Sequence, residues 1–245
     1  MNDKASEIIP LGGFAIQSTT SQELAQQLKE NMRHQQTTLL FANTNFIVKC
    51  QPFKQELAKS NTIIVNDGIG IDIATWLIHR KKFRENLNGT DFNPLFLKEL
   101  GDEAKVFLFG AKPGIAKRAA DNLQAQNINV VGYRNGYDEA RDTHKLIADI
   151  NASGANVVLV AMGNPNQEQW IIQHRNQLEA RTLIGVGALL DFLAGDKPRA
   201  PKIVQRLRLE WFYRLCLEPG RLLRRYTLDI AVFLQLCLRQ GKSLQ

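Results

Sequence analysis

Six short, continuously apolar runs mark the chain up to residue 186: 38–42 (TLLFA), 62–65 (TIIV), 105–109 (KVFLF), 128–131 (INVV), 156–161 (NVVLVA) and 182–186 (TLIGV). Helix-length amphipathic stretches lie between them, near 46–59, 69–80, 92–100, 114–126, 139–152 and 166–177. A strand apolar at every position is buried on both faces, so helices must cover both sides of its sheet. The alternation therefore predicts an α/β chain, with a Rossmann-like, largely parallel sheet flanked by helices. The breaker cluster Gly195-Asp196-Lys197-Pro198 ends this pattern. It divides the chain into a core over 1–195 and a helical, basic C-terminal appendage over 196–245.

Charge separates the two parts. The chain carries a formal net charge of +7, and from Lys202 onward nine basic residues stand against three acidic ones. A basic, aromatic tail on an ordinary core suggests an anionic partner: a lipid surface, a diphosphate or nucleic acid. No apolar run approaches the ~20 residues of a membrane span. The polar, acid-bearing start, MNDKASEIIP, gives no expectation of a signal peptide. Three scattered cysteines point to a reducing cytoplasm rather than a disulfide framework. The four histidines lack zinc-ligand spacing, so a bound zinc is not expected; no other metal or cofactor is expected either.

In an open parallel sheet, ligands bind outside the carboxyl ends of the strands. Five such ends here are polar and glycine-bearing: Asn43-Thr44-Asn45, Asn66-Asp67-Gly68, Gly110-Ala111-Lys112, Gly163-Asn164-Pro165 and Gly187. Asp67 follows its strand directly. It either takes a proton from an attacking hydroxyl or caps the helix that follows. The turn F-G-A-K-P-G at 109–114 either holds a phosphate on backbone amides or is a tight turn with Pro113 in the first helical turn. In G-N-P-N-Q-E at 163–168, Gln167 can read a sugar or base edge and Glu168 can accept from hydroxyls. Its bland reading is a helix start with acid in the first turn.

No D-x-D occurs in the chain. If a diphosphate leaves, arginine or backbone amides must neutralise it, and the tail supplies Arg214, Arg221, Arg224 and Arg225. On a continuous helix, Arg214, Arg221 and Arg224 would share one face, unless Pro219-Gly220 breaks it. Leu228, Val232, Phe233 and Leu236 form a later apolar stripe, suited either to a membrane interface or to the protein's own core.

Taken together, N-D-G at 66–68, G-T-D at 89–91, G-x-x-x-G-Y at 132–137 and M-G-N-P-N-Q-E at 162–168 resemble the WecG/TagA/CpsF family of bacterial glycosyltransferases. The likeness continues through G-V-G-x-x-x-D-F-x-x-G at 185–195, R-A-P at 199–201, L-E-W-x-Y-R-L at 209–215 and P-x-R-x-x-R-R-Y at 219–226. It implies inverting transfer from a UDP-sugar to an undecaprenyl-diphosphate-linked saccharide in cell-surface polysaccharide synthesis, without bound metal. Asp67 matches the family's proposed base, Asn45 a pocket asparagine and Gln167 the donor-site glutamine. Arg214, Arg221 and Arg224 match arginines of an appendage that closes over the pocket. Thr44, Gly110, Gly136, Gly163, Glu168, Gly187, Asp191 and Arg199 are expected around the substrates. Two departures stand out. Ile47 replaces a common glutamate, and Asn86 replaces a frequent arginine for which Arg84 is a candidate substitute.

The expected enzyme is peripheral on the inner face of the cell membrane, with a UDP-sugar and a lipid-diphosphate-linked saccharide as partners. The oligomeric state, the donor sugar and the acceptor saccharide stay open. Two readings from other classes compete: a non-catalytic nucleotide-binding module, and a nucleic-acid binder using the basic tail. The second is disfavoured because Trp211, Phe212 and Tyr213 sit together instead of forming a spread stacking platform.

Overall fold

A computed structural model describes residues 6–58 and 61–243, excepting the side chains of 221, 225 and 240–243. Eight strands form one sheet: β1 (Glu7–Leu11), β2 (Phe14–Ser18), β3 (Thr37–Ala42), β4 (Thr62–Asn66), β5 (Val106–Gly110), β6 (Val130–Arg134), β7 (Val157–Ala161) and β8 (Thr182–Gly185). Their order is β1-β2-β4-β3-β8-β7-β5-β6. Only the β1–β2 pair is antiparallel. The seven parallel strands therefore deliver their carboxyl ends to one edge. The six expected strands are all present, and the fold is the expected helix-flanked α/β sheet.

The apolar runs are explained by burial on both sides. Leu39, Leu108 and Leu159 face one core with Leu24, Phe92 and Ala119 from the covering helices. Their neighbours Leu40, Phe109 and Val160 face the other with Phe46, Ile71 and Trp170. Burial on both faces favours an apolar side chain at nearly every position of these strands, hence the apolar runs.

Three features depart from the expectations. A hairpin, β1–β2, precedes the first expected strand, turning at Gly12 (φ 59) and Gly13 (φ 89). A helix at Ser21–His34 follows it, started by Thr20, whose side chain accepts from Glu23 N while Glu23 caps in return. The stretch 46–59 is three short pieces, Thr44–Lys49, Gln51–Phe53 and Lys54–Ala58, with Pro52 forcing the break.

The appendage is helical as expected: Lys202–Arg206, Glu210–Leu217, Pro219–Tyr226 and Leu228–Ser243. It is not one continuous helix. Glu218 (φ −132, ψ 58) breaks it before Pro219, so Arg214 and Arg224 do not share a face by helical repeat. The last helix packs on Thr44–Lys49 and on Ile69–His79. Phe233 and Cys237 are buried in the second core, with Leu236 against them. The apolar stripe is thereby divided: Phe233 and Leu236 serve the protein's own core, while Leu228 and Val232 stay exposed.

Candidate active site

A cleft of about 1410 Å³ runs along the carboxyl edge of the sheet and under the appendage. The strand order reverses here: β5 leads outward to β6, whereas β7 leads inward to β8. Loops after β5 and β7 thus diverge and leave a crevice between them.

Asp67 follows β4, an interior strand of the sheet, on this edge. Its N–H donates to the Ala42 carbonyl at 2.8 Å, carrying the β3–β4 ladder one residue past the strand. Gly68 then turns at φ 92, and its N–H donates to Asn86 Oδ1 at 2.8 Å. Gly68 is the N-cap of helix Ile69–His79, and no side chain caps it. Asp67, one residue before that cap, is half-buried and lines the cleft. Gly70 permits the close approach: a Cβ there would lie 2.6 Å from Thr44 Cγ2. That approach sets the Asp67 loop beside the start of helix Thr44–Lys49, whose N-cap Asn43 accepts from Phe46 N through Oδ1 at 3.0 Å.

A chain of amides crosses the cleft floor. Asn45 Nδ2 donates to Asn164 Oδ1 at 3.4 Å, and Asn164 Nδ2 donates to Glu168 Oε1 at 2.6 Å. Gln167 Nε2 donates to the same oxygen at 2.8 Å. Gln167 Oε1 accepts from Gly163 N at 3.2 Å and from Gly187 N at 2.9 Å, stapling the loops after β7 and β8. Glu168 is 1% exposed and sits behind the lining. Burial pushes its carboxyl above the usual range, opposed by the Gln167, Asn164 and Cys50 contacts. It orders the floor from behind, through Asn164 and Gln167.

The expected residues fall into two groups. Asn45, Thr44, Asp67, Gly163, Gln167, Gly187, Asp191, Arg214 and Arg224 come together on the cleft. Gly110, Gly136, Glu168 and Arg199 do not line it. Gly110 (φ 119) packs so tightly that a Cβ would collide with the Ala161 carbonyl, and a Cβ on Gly136 would lie 3.2 Å from Gly110 Cα. These two glycines let the β5, β6 and β7 ends close on one another. Arg199 instead pairs with Asp91 at 2.8 Å, tying the R-A-P segment to the G-T-D helix. The side chain of Arg221 lies outside the described residues.

Arg84, the candidate substitute for the arginine absent at 86, does not line the cleft. Its guanidinium grips Glu23 through two bonds of 2.6 Å. Asn86 itself lines the cleft and holds the Gly68 amide. Ile47 is fully buried, so the departure at that position falls in the core.

The appendage supplies the cleft's outer wall. The Arg214 guanidinium lies 5.0 Å from the Phe192 ring centre, which aims it at the cleft. Trp211 and Tyr226, with rings 5.6 Å apart, add an aromatic edge. Lys112, Asn86 and Arg208 also line the cleft, and of these only Arg208 was not singled out by sequence reasoning. Arg208 pairs with Asp72 at 2.8 Å, and Asn66 Nδ2 donates to Asp72 at 3.2 Å. Burial raises the Asp72 carboxyl, while Arg208 and Asn66 oppose that shift. Asp191 is likewise raised by burial, with Lys197 and Lys112 acting against it. Among the described residues, no three His, Cys, Asp or Glu side chains converge to hold a metal ion.

The model of the Glycosyl transferase WecG/TagA/CpsF family matches residues 9–245, so sheet and appendage both fall within it.

Proposed function

The chain belongs to the WecG/TagA/CpsF glycosyl transferase family, and from that premise we propose that it moves a sugar from a UDP-sugar to an undecaprenyl-diphosphate-linked saccharide, with inversion. Membership makes it a glycosyltransferase; the donor, the acceptor and the residue roles are our reading. The observation that carries it is the meeting of Asp67, at the end of an interior strand, with Arg214 of the appendage on one cleft.

In this reading, Asp67 takes the proton of the acceptor hydroxyl. The hydroxyl oxygen attacks the anomeric carbon from the face opposite UDP, and the bond from that carbon to the diphosphate oxygen breaks. UDP leaves with the bonding electrons. Arg214 and Arg224, with Lys112 from the β5 loop, offer fixed positive charge to the developing anion without a metal. The resemblance adds Arg221. Asn45 and Gln167 orient the sugars through the ordered amide floor.

No helix among the described residues is long and apolar enough to cross a membrane. We place the enzyme peripherally on the cytoplasmic face, where its lipid-linked acceptor is reached from the side. A mass-spectrometric screen of UDP-sugars with a short-chain lipid-diphosphate saccharide tests the reaction. One donor should give a product heavier by one glycosyl unit. Binding of UDP-sugars with no transfer or hydrolysis would instead support the nucleotide-binding module.

A further inference from the structure

Helix Ile69–His79 is apolar on two opposite faces. Ile71, Ala74 and Thr75 are buried against the core, while Ile73, Trp76 and Leu77 are 50%, 45% and 51% exposed. Spacings of three and one place these last three on one outer face. A helix on a solvated surface would carry polar groups there. Here the charge comes just after the helix, at Arg80, Lys81, Lys82 and Arg84. The Arg80 guanidinium lies 4.9 Å from the Trp76 ring centre. Lys81 and Arg84 pair with Glu7 and Glu23, while Arg80 and Lys82 stand exposed beside the patch.

This surface belongs to a larger one. Among the described residues, fourteen of the seventeen exposed large hydrophobic side chains lie on this helix or between Ile203 and Leu238. The exposed apolar side chains are thus concentrated on this helix and on the appendage, whose last helix packs against it. This surface also borders the cleft: Ile73 and Leu77 line it, as do Ile230 and Leu234 of the packed C-terminal helix.

We propose that this outer face of the core, and not the appendage alone, docks on an anionic lipid bilayer, with the cleft opening beside it. An indole flanked by cations suits the boundary between headgroups and hydrocarbon. Anionic headgroups complement Arg80, Lys82 and the basic tail. A second copy of the chain is a poorer occupant, because a twofold contact would bring those cations against their own mates. The docking surface stands apart from the proposed transfer reaction; only the meaning of the cleft's opening rests on that reaction.

The test uses the full-length chain with sedimenting vesicles of phosphatidylcholine, with and without phosphatidylglycerol. Wild type should bind the anionic vesicles. Trp76→Glu should weaken that partition at least about ten-fold, as expected when a large apolar anchor is lost. Lys82→Glu should weaken it less. Neither residue lines the cleft, so turnover on a water-soluble acceptor analogue should stay within about two-fold of wild type. Brominated lipids should quench wild-type tryptophan fluorescence more than that of Trp76→Phe. Unchanged partition in Trp76→Glu would overturn the proposal and leave the tail as sole anchor. A shift from dimer to monomer in Trp76→Glu with unchanged vesicle binding would also overturn it, in favour of a second copy. Wild type that binds vesicles but transfers no sugar would defeat the reaction and leave this surface standing.

Discussion

The guanidinium of Arg208, in the appendage, lies 2.8 Å from the carboxylate of Asp72, in the first turn of the helix that follows Asp67. Asn66, the residue before Asp67, donates to the same carboxylate at 3.2 Å. Arg208 holds a left-handed backbone (φ 58) and lines the cleft. One ion pair therefore joins the appendage to the loop that carries the proposed base. Such half-exposed pairs contribute about 0.2–1 kcal/mol. Arg208→Ala should raise the donor KM about two- to five-fold and speed proteolysis near residues 195–202. Exchanging the charges, with Asp72→Arg and Arg208→Asp together, should recover part of the loss. Equal proteolysis of wild type and Arg208→Ala would show that the pair does not hold the appendage.

Phe233 measures how firmly the last helix is built into the core. It is 2% exposed, in the cluster with Phe46 and Ile71. Phe233→Ala should cost about 3–5 kcal/mol in denaturant unfolding. A loss confined to vesicle binding, with unfolding unchanged, would make the helix a detachable anchor.

Gln167 is as much a staple as a ligand reader. Removing its side chain leaves the Gly163 and Gly187 amides without their partner. Gln167→Ala should destabilise by about 1–3 kcal/mol and raise the donor KM. A fully stable variant with impaired binding would assign Gln167 to the ligand alone.

Glu168 sets a pH dependence. Its folded carboxyl is held above the ordinary value of 4.5, chiefly by burial. The folded state thus binds its proton more readily than the unfolded state. The stabilisation from this group is full below the ordinary value and is lost as pH rises through the raised one. Glu168→Gln cannot titrate. The melting-temperature difference, wild type minus variant, should be greatest near pH ~4 and shrink toward pH ~7. A difference that grows with pH would reverse the assignment.

The strands were legible because two-faced burial leaves an unbroken apolar trace, as in Val157–Ala161. The first hairpin was less so: Pro10 interrupts β1, an edge strand, and only the Gly12-Gly13 turn marks it. Helix Ser21–His34 buries just Leu24, Ala25 and Leu28, too narrow a stripe to stand out among its polar residues. The local sequence signal for it is the T-S-Q-E capping box of Thr20 and Glu23. In the site, Asp67 and Asn45 were legible from strand ends. Glu168 and Arg199 were not, because polarity in sequence does not say whether a group faces a ligand or another side chain. Here they face Gln167 and Asp91.

The central claim is that Asp67 is the base of a sugar transfer. Steady-state turnover of Asp67→Asn, on a soluble acceptor analogue with the identified donor, tests it most directly. The account predicts a fall of about 10²–10⁴-fold, with the melting temperature and donor KM near wild type. Turnover above about a third of wild type, far short of a lost general base, would contradict it.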